Sequence, residues 1–191
     1  MRILAGEARG RPLRTPAGRA TRPTSARMRE ALFARCQGQL PGARVLDLFA
    51  GTGSLGLEAL SRGAAHATFV EVAEPASRLL NDNVRQLGFA AQSRVLRLPV
   101  ARALHRLAGD RFDLVVLDPP YGQGEIGPAL QQLSLLGLLA PGATVMAVHG
   151  AREEAPPPPT GLFLVDTRRF GDSAVTRYGE GSGSGDGPEG P

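Results

Sequence analysis

Short apolar runs alternate along this chain with longer amphipathic stretches, and the alternation predicts strands separated by helices. Strands are predicted at residues 45–49, 67–71, 94–98, 112–117 and 143–149. Helices are predicted between them, at residues 54–62, 75–87, 100–107 and 127–139. Such alternation is typical of an α/β protein with a parallel sheet and helices on both faces. Pro141-Gly142 is expected to follow the last of these helices.

The two ends of the chain depart from this alternation. Residues 2–5 and 9–13 predict a short hairpin, and a helix is expected over 25–37 with Thr24 or Ser25 as its cap. Near the other end, strands 162–169 and 173–178 follow each other without a helix, which predicts an antiparallel hairpin. We therefore divide the chain into a basic extension (1–40), one α/β domain (41–178) and a disordered tail (179–191).

Composition restricts the class of protein further. No apolar run is long enough to span a membrane, and the N-terminus becomes polar too early for a signal peptide. The single cysteine, Cys36, cannot form an internal disulfide and is expected to pack in the core. We expect a cytoplasmic protein, a monomer, without a metal ion.

Positive charge is concentrated at the N-terminal end. Residues 1–44 hold ten arginines and two glutamates, a formal charge of +8 in a chain whose net charge is +4. A basic arm on a near-neutral body is typical of a protein that binds a polyanion. The arginines that we expect to bind the nucleic acid are Arg9, Arg11, Arg22, Arg27 and Arg29, of which Arg22 and Arg29 are also expected to organise the site.

A glycine-rich loop follows the first predicted strand of the α/β domain. Gly51, Gly53 and Gly56 spell G-x-G-x-x-G, and Glu71 comes twenty residues after Gly51, as in dinucleotide-binding folds. Asp47, however, puts a negative charge before the glycines, which would repel a pyrophosphate but attract the cationic amino-acid part of S-adenosylmethionine. The cofactor-binding residues expected from this loop are Asp47, Phe49, Ala50, Gly51, Thr52, Gly53 and Glu71.

The tetrapeptide Asp118-Pro119-Pro120-Tyr121 follows the buried strand at 112–117 and predicts a clamp for a planar amine. The Asp118 carboxylate can accept one N–H, and the Pro119 carbonyl can accept the other. The Tyr121 ring can stack on a base. We take these four residues as the catalytic candidates, for methyl transfer to the exocyclic amine of a nucleobase.

Together these segments resemble the bacterial RsmD family. The resemblance covers about residues 2–178 and includes RILAGEARGRPL, RPTSARMREALF, VLDLFAGTGSLGLEALSRGA, LVVLDPPY and RRFGDSAVTRYG. It implies a Rossmann-like, S-adenosylmethionine-dependent methyltransferase with a seven-stranded, mostly parallel sheet and a C-terminal antiparallel hairpin. The implied reaction is methylation of guanine 966 at N2 in 16S ribosomal RNA, within a 30S subunit or an assembly intermediate.

The chain departs from the family pattern at two positions near the cofactor. Ala73 stands where the family often has an acid, and Pro99 where it commonly has Asp or Asn near the adenine. The resemblance therefore assigns the adenine contact to the backbone of Val100.

The residues alone leave three other functions open. A DNA adenine-N6 or cytosine-N4 methyltransferase would use the same clamp, although such enzymes usually carry a target-recognition domain. An NAD-dependent oxidoreductase would use the same glycines. A non-catalytic RNA-binding protein could retain the fold.

Overall fold

The computed structural model describes residues 1–16 and 25–181, which form seven strands, five α-helices and two short 3₁₀ turns. The strands are β1 (Arg44–Leu48), β2 (His66–Val70), β3 (Ser93–Leu96), β4 (Phe112–Leu117), β5 (Leu139–Gly150), β6 (Leu162–Phe170) and β7 (Ser173–Glu180). The helices are α1 (Ala26–Ala34), α2 (Ser54–Ser61), α3 (Glu74–Leu87), α4 (Val100–Arg106) and α5 (Ile126–Leu135), and the 3₁₀ turns are Gln37–Gln39 and Ala90–Gln92.

All seven strands form one sheet in the order β3-β2-β1-β4-β5-β7-β6. The first five strands pair in parallel, whereas β7 lies antiparallel between β5 and β6. The expected mostly parallel sheet with a C-terminal antiparallel hairpin is therefore confirmed. The strand order reverses between β1 and β4, and such switch points are where open α/β sheets bind their ligands.

Side chains alternate between the two faces of the sheet and build two separate cores. Val45, Leu114 and Val116 contribute to the core that also holds α1, α2 and α3. Leu46 and Val115, one position along the same strands, contribute to the core beneath α4 and α5. This is the period-two pattern of strands that are buried on both faces.

The N-terminal segment packs into the first of these cores. Ile3, Ala8 and Leu13 are each at most 4% exposed and share a cluster with Phe33 and the β1 residue Val45. Cys36, also in this cluster, is 1% exposed, as expected for a core thiol. The described part of the basic extension, residues 1–16 and 25–40, is thus packed against the α/β domain.

Several predicted boundaries need correction. The expected hairpin of residues 2–5 and 9–13 forms over a shorter span, in which Ile3 N–H donates to Arg11 O at 3.1 Å, Gly10 N–H donates to Ile3 O at 2.9 Å, and Arg2 and Pro12 form an antiparallel bridge. The amides of Leu4, Ala5 and Ala8 instead donate to side chains of α2. The helix expected over 25–37 ends at Ala34, and Ser25 caps it by accepting from Met28 N–H at 3.2 Å. Thr24 lies outside the described residues.

The largest local error concerns the end of α5. The helix was expected to reach residue 139, yet it ends at Leu135 because Gly137 adopts a positive φ of 57° and turns the chain. Strand β5 then starts at Leu139, which pairs with Phe112, and continues through Pro141-Gly142.

The last strand also differs from the prediction. β7 continues to Glu180, two residues beyond the expected end of the strand at 178, because Gly179 and Glu180 still pair with Phe163 and Leu162 of β6. The rest of the predicted tail, residues 182–191, lies outside the described residues.

Candidate active site

The predicted clamp and the glycine loop meet on neighbouring strands. β1 and β4 pair in register up to Leu48 and Leu117, and Asp118 N–H then donates to Leu48 O at 3.3 Å. The residue after each strand therefore enters the same region, at the edge where the parallel strands end, here called the carboxyl edge. This adjacency brings Asp118 next to the loop that begins at Phe49.

The clamp residue Tyr121 is fixed by a partner that the sequence did not indicate. Its hydroxyl donates to Ser173 Oγ at 2.8 Å, while the residue stays 43% exposed. Ser173 is the first residue of β7, so the hairpin at the end of the chain anchors the ring of a residue that follows β4. No local pattern around Ser173 could have predicted this contact.

A second unanticipated partner follows β5. Glu153 Oε1 accepts a hydrogen bond from Gly122 N–H at 2.9 Å, immediately after the clamp. The two segments enclose a cleft of about 80 Å³. Its lining consists of Pro119, Pro120, Tyr121, Gly122, Gly124, Glu125, Ile126, Val148, His149, Glu153, Glu154 and Pro156.

The glycine loop has the backbone geometry of a ligand-binding turn. Phe49 has a φ of 63°, the one positive φ of a non-glycine residue within the described ranges, and such strain is concentrated at functional sites. Ala50 N–H donates to Val70 O at 2.9 Å and ties the turn to β2. A Cβ added at Gly51 would meet no atom within 4 Å, so a ligand can approach this backbone closely.

Asp47 is the second-last residue of β1, just before this turn, and is 1% exposed. Its Oδ2 accepts from Gly56 N–H, the third residue of α2, at 2.8 Å, and thereby caps the helix. Its Oδ1 is buried without a hydrogen-bond partner among the residues that the structure describes. Burial raises the pKa of Asp47 to about 7; the Gly56 bond lowers it, and Asp118 and Glu71 raise it further.

Glu71, one of the expected cofactor-binding residues, binds two backbone amides. Its Oε2 accepts from Gly51 N–H at 2.8 Å and its Oε1 from Ala73 N–H at 2.7 Å. Each carboxylate oxygen retains a second lone pair for a ligand hydroxyl. Glu71 therefore shapes the glycine loop as well as facing the expected cofactor region.

The remaining expected cofactor residues lie along the same edge. Thr52 O accepts from Asn83 Nδ2 at 2.9 Å, and this amide also donates to Arg14 O at 3.0 Å. Asn83 thus links the N-terminal segment to the glycine loop, a role that nothing in the sequence indicated. Val100 is the first residue of α4, so the helix does not use its N–H, which is available to a ligand.

The predicted RNA-binding arginines are dispersed. Arg9 and Arg27 are exposed. Arg11 is also exposed, but its guanidinium donates to Leu87 O at 3.0 Å and to Gln86 O, at the C-terminal end of α3. Because α3 runs back from the carboxyl edge, Arg11 lies toward the opposite edge of the sheet from the clamp.

Arg29 does not meet the expectation of a contact with nucleic acid. It is 2% exposed, donates to Arg2 O at 2.9 Å and approaches Glu58 Oε2 at 3.7 Å. A side chain enclosed in this way stabilises the N-terminal segment instead of meeting RNA at the surface. Arg22 lies outside the described residues.

Within the described residues, no helix is long and apolar enough to cross a membrane. Across the same ranges, no group of three or more His, Cys, Asp or Glu side chains is arranged to hold a metal ion.

The strand order, the glycine loop and the clamp define a Rossmann-like fold of the S-adenosylmethionine-dependent methyltransferase class. The family model described as "Conserved hypothetical protein 95" matches residues 1–179. The chain belongs to this family, which is the RsmD family that the sequence resembles.

Individual relatives agree with this placement. The chain is 35% identical over 180 residues to the ribosomal RNA small subunit methyltransferase D of Escherichia coli, covering 93% of this chain and 89% of the relative. It is 37% identical over 138 residues to the protein of the same name from Haemophilus influenzae, covering 71% and 70%. The solved structure titled "Putative methyltransferase yhhF from Escherichia coli" superposes with a TM-score of 0.83 at 35% identity, covering 94% and 97%.

The glycine-loop region fits a methyl donor with a cationic amino-acid part. A cation would satisfy the partnerless Oδ1 of Asp47, and the open space beside Gly51 admits a ligand against the backbone. The residues present are therefore compatible with S-adenosylmethionine.

Proposed function

We propose that this protein transfers a methyl group from S-adenosylmethionine to the N2 amine of a guanine in 16S ribosomal RNA. By family resemblance the target is guanine 966. The observation that carries the proposal is the adjacency of the clamp and the glycine loop at the ends of β4 and β1. The relatives named ribosomal RNA small subunit methyltransferase D supply the class of RNA.

The glycine loop would hold the methyl donor, which supplies an electrophilic methyl group on a sulfonium. Asp47 offers its buried oxygen to the ammonium group, and Glu71 offers its remaining lone pairs to the ribose hydroxyls. The N–H of Val100 serves the adenine. Because the backbone at Gly51 is unobstructed, the ligand can lie directly against the loop.

The clamp would orient the amine of the target base. An aromatic amine is a weak nucleophile because its lone pair delocalises into the ring. Hydrogen bonds to the Asp118 carboxylate and the Pro119 carbonyl favour a tetrahedral nitrogen whose lone pair points at the methyl carbon. Asp118 also stabilises the positive charge that develops on this nitrogen, and the methylated amine then releases its proton to water.

Tyr121 would stack on a base turned out of its RNA stem or loop. The bond from its hydroxyl to Ser173 restricts the ring before the base arrives, so less conformational entropy is lost on binding. Exposed Arg9 and Arg27 would hold RNA phosphates, within a 30S subunit or an assembly intermediate, and the enzyme would act as a monomer.

The experiment that tests this proposal is mapping of methylated guanines in ribosomal RNA by mass spectrometry. A strain lacking the gene should lose N2-methylguanosine at one position of 16S RNA. The wild-type gene should restore the modification, whereas a gene carrying Asp118→Ala should not. An unchanged set of N2-methylguanosines in the deletion strain would refute the proposal and redirect attention to DNA or another RNA.

A further inference from the structure

The cleft beside the clamp has a wall that neither the tetrapeptide nor the glycine loop supplies. Pro119 and Tyr121 line one side, and residues that follow β5, including Glu153, line the other. Pro119, whose carbonyl is the second acceptor of the clamp, lines this cleft together with Tyr121, so a base held by the clamp would lie against this second wall. The chemistry of the wall decides which base edge it accepts.

Glu153 is the wall residue that the structure attaches directly to the clamp. Its Oε1 accepts from Gly122 N–H at 2.9 Å, and its own N–H donates to Gly150 O at 3.0 Å. A Cβ added at Gly150 would lie 2.7 Å from Oε1, so a glycine at this position leaves room for the carboxylate to fold over the end of β5. One oxygen is thus engaged by the clamp loop, and the other remains a hydrogen-bond acceptor for the cleft.

The loop that carries Glu153 is held at several points. Ala151 N–H donates to Asp172 O at 2.9 Å, and Tyr178 O–H donates to Pro156 O at 2.8 Å. Four consecutive prolines, residues 156–159, further restrict its backbone. A carboxylate on such a segment is positioned before a substrate binds, as a specificity group must be.

We propose that Glu153 determines specificity for guanine by accepting a hydrogen bond from N1–H of the target base. In guanine, the N2 amine neighbours a ring nitrogen that is also a donor, so the clamp and Glu153 together match the donor pattern. In adenine and cytosine, the amine neighbours a ring nitrogen with a lone pair, which a carboxylate repels. This inference rests on the proposed function and specifies its base selectivity.

The test replaces the target guanine of 16S RNA with 2-aminopurine, which keeps the amine at C2 but has an acceptor at N1. Ligated RNA of each kind is assembled into small subunits, and kcat/KM for methyl transfer is measured. The wild-type enzyme should prefer guanine by about tenfold or more, as expected for loss of a hydrogen bond to a charged group.

Glu153→Gln provides the decisive variant. The carbonyl of the new side chain can still accept from Gly122 N–H, while its amide group presents a donor to the cleft. The preference for guanine over 2-aminopurine should therefore fall about tenfold or more, because kcat/KM rises for 2-aminopurine RNA and falls for guanine RNA. An unchanged ratio would overturn the inference.

Two further variants separate specificity from support of the loop. Arg152→Gln removes a charge from the same loop at an exposed position that does not line the cleft, so it should keep the wild-type ratio; a ratio that changes here and not at Glu153 would refute the assignment. Glu153→Ala should also lose the guanine preference. An equal decrease of kcat/KM for both bases would mean that Glu153 only supports the clamp, and the inference would be wrong.

The same measurements distinguish this inference from the function on which it rests. If the wild-type enzyme methylates no guanine N2 in the small subunit, the proposed function fails. If it methylates guanine and the Glu153 variants keep its base preference, only the assignment of Glu153 fails.

Discussion

At the scale of single residues, the recurrent device is a carboxylate that binds backbone amides. Asp47 holds Gly56 at the start of α2, and Glu71 holds Gly51 of the glycine loop. Glu153 binds the amide that follows the clamp. Each acid therefore fixes the local backbone and can also meet a ligand, so replacing one changes stability and binding together.

Asp118 is the residue on which catalysis should depend most. Asp118→Ala should reduce methyl transfer by at least about a hundredfold, because the developing charge on the amine loses its stabilising carboxylate. Binding of S-adenosylmethionine, measured by calorimetry, should persist. Asp118→Asn keeps an acceptor oxygen and should retain more activity than the alanine variant. Near-normal turnover in Asp118→Ala would contradict the assignment.

Asp47 should give the protein an unusual dependence of stability on pH. Its pKa of about 7 in the folded state exceeds the ordinary value of 3.8, so the folded state binds more protons between these values. The contribution of Asp47 to stability is therefore complete below about pH 4 and is lost as the pH rises to about 7. Above pH 7, the folded protein bears the cost of a buried charge.

Asp47→Asn should remove this cost while keeping an oxygen for Gly56 N–H. The variant should be more stable than the wild type at pH 8, on the order of a few kcal/mol, and the difference should shrink toward pH 5. Thermal unfolding across this range measures the effect, with Asp82→Asn on the surface of α3 as the control. Binding of S-adenosylmethionine should weaken. Parallel pH profiles for variant and wild type would argue against the raised pKa.

At the scale of elements, α2 joins the N-terminal segment to the sheet. On its sheet side, a Cβ added at Gly56 would lie 2.3 Å from the Phe69 ring, so glycine permits close packing on β2. On its other side, Glu58 accepts from Leu4 N–H at 2.8 Å and Ala5 N–H at 3.0 Å. One helix thus positions both the glycine loop and the start of the chain.

Glu58 should be among the most destabilising positions to change. It is 0% exposed and bonds Arg62 at 2.8 Å besides approaching buried Arg29. Glu58→Ala would leave the Arg29 charge without its carboxylate, at a cost of about 3–5 kcal/mol in the free energy of unfolding. Glu74→Ala, which breaks exposed ion pairs with Arg78 and Arg97, should cost about 1 kcal/mol or less. Similar denaturation midpoints for the two variants would disprove this role.

Elements were predicted accurately where neighbouring residues determine them and less accurately where contacts with a distant strand do. The first four strands of the α/β domain lie within two residues of their expected bounds. Three of them, β1, β2 and β4, are mostly buried, and buried parallel strands form nearly continuous apolar runs. The end of α5 was wrong because Gly137 and Pro141-Gly142 are equally plausible helix ends in the sequence. The choice between them was made by the pairing of Leu139 with Phe112.

At the scale of the whole molecule, the exposed N-terminal arginines lie on one face of the sheet, and one of them lies toward the edge that carries the candidate site. Contacts of Arg29 with Glu58 and of Arg62 with the Phe33 ring, 5.0 Å from its centroid, show that α1 runs parallel to α2. The start of α1, with exposed Arg27, therefore lies toward the carboxyl edge. Arg9 lies on the same face of the sheet but toward the other edge, so an RNA that meets both must extend along this face.

The salt dependence of RNA binding should report these contacts. The double variant Arg9→Ala/Arg27→Ala should bind 16S RNA more weakly and should lower the slope of log affinity against log salt by about 1–2. A matched control is Arg102→Ala/Arg106→Ala, two exposed arginines of α4 on the opposite face. We expect the control to keep the wild-type slope. Equal slopes for both double variants would exclude a specific role for the N-terminal arginines.

The sequence by itself determined the class of fold, the family and the two segments of the candidate site. These features depend on contiguous residues: apolar runs form strands, glycines permit a tight turn, and Asp118 to Tyr121 follow one another in the chain. The interactions that form each of these features join residues close together in the sequence, so the features can be inferred from the order of amino acids.

Only the tertiary structure decided which side chains support that site. Ser173 reaches Tyr121 across 52 positions, Glu153 reaches Gly122 across 31, and Arg29 becomes buried beside Glu58. Such partners are set by the order of strands in the sheet and by the packing of α1 on α2. Because a serine, a glutamate or an arginine has the same local pattern whether it is paired or exposed, these contacts leave no signal in the sequence.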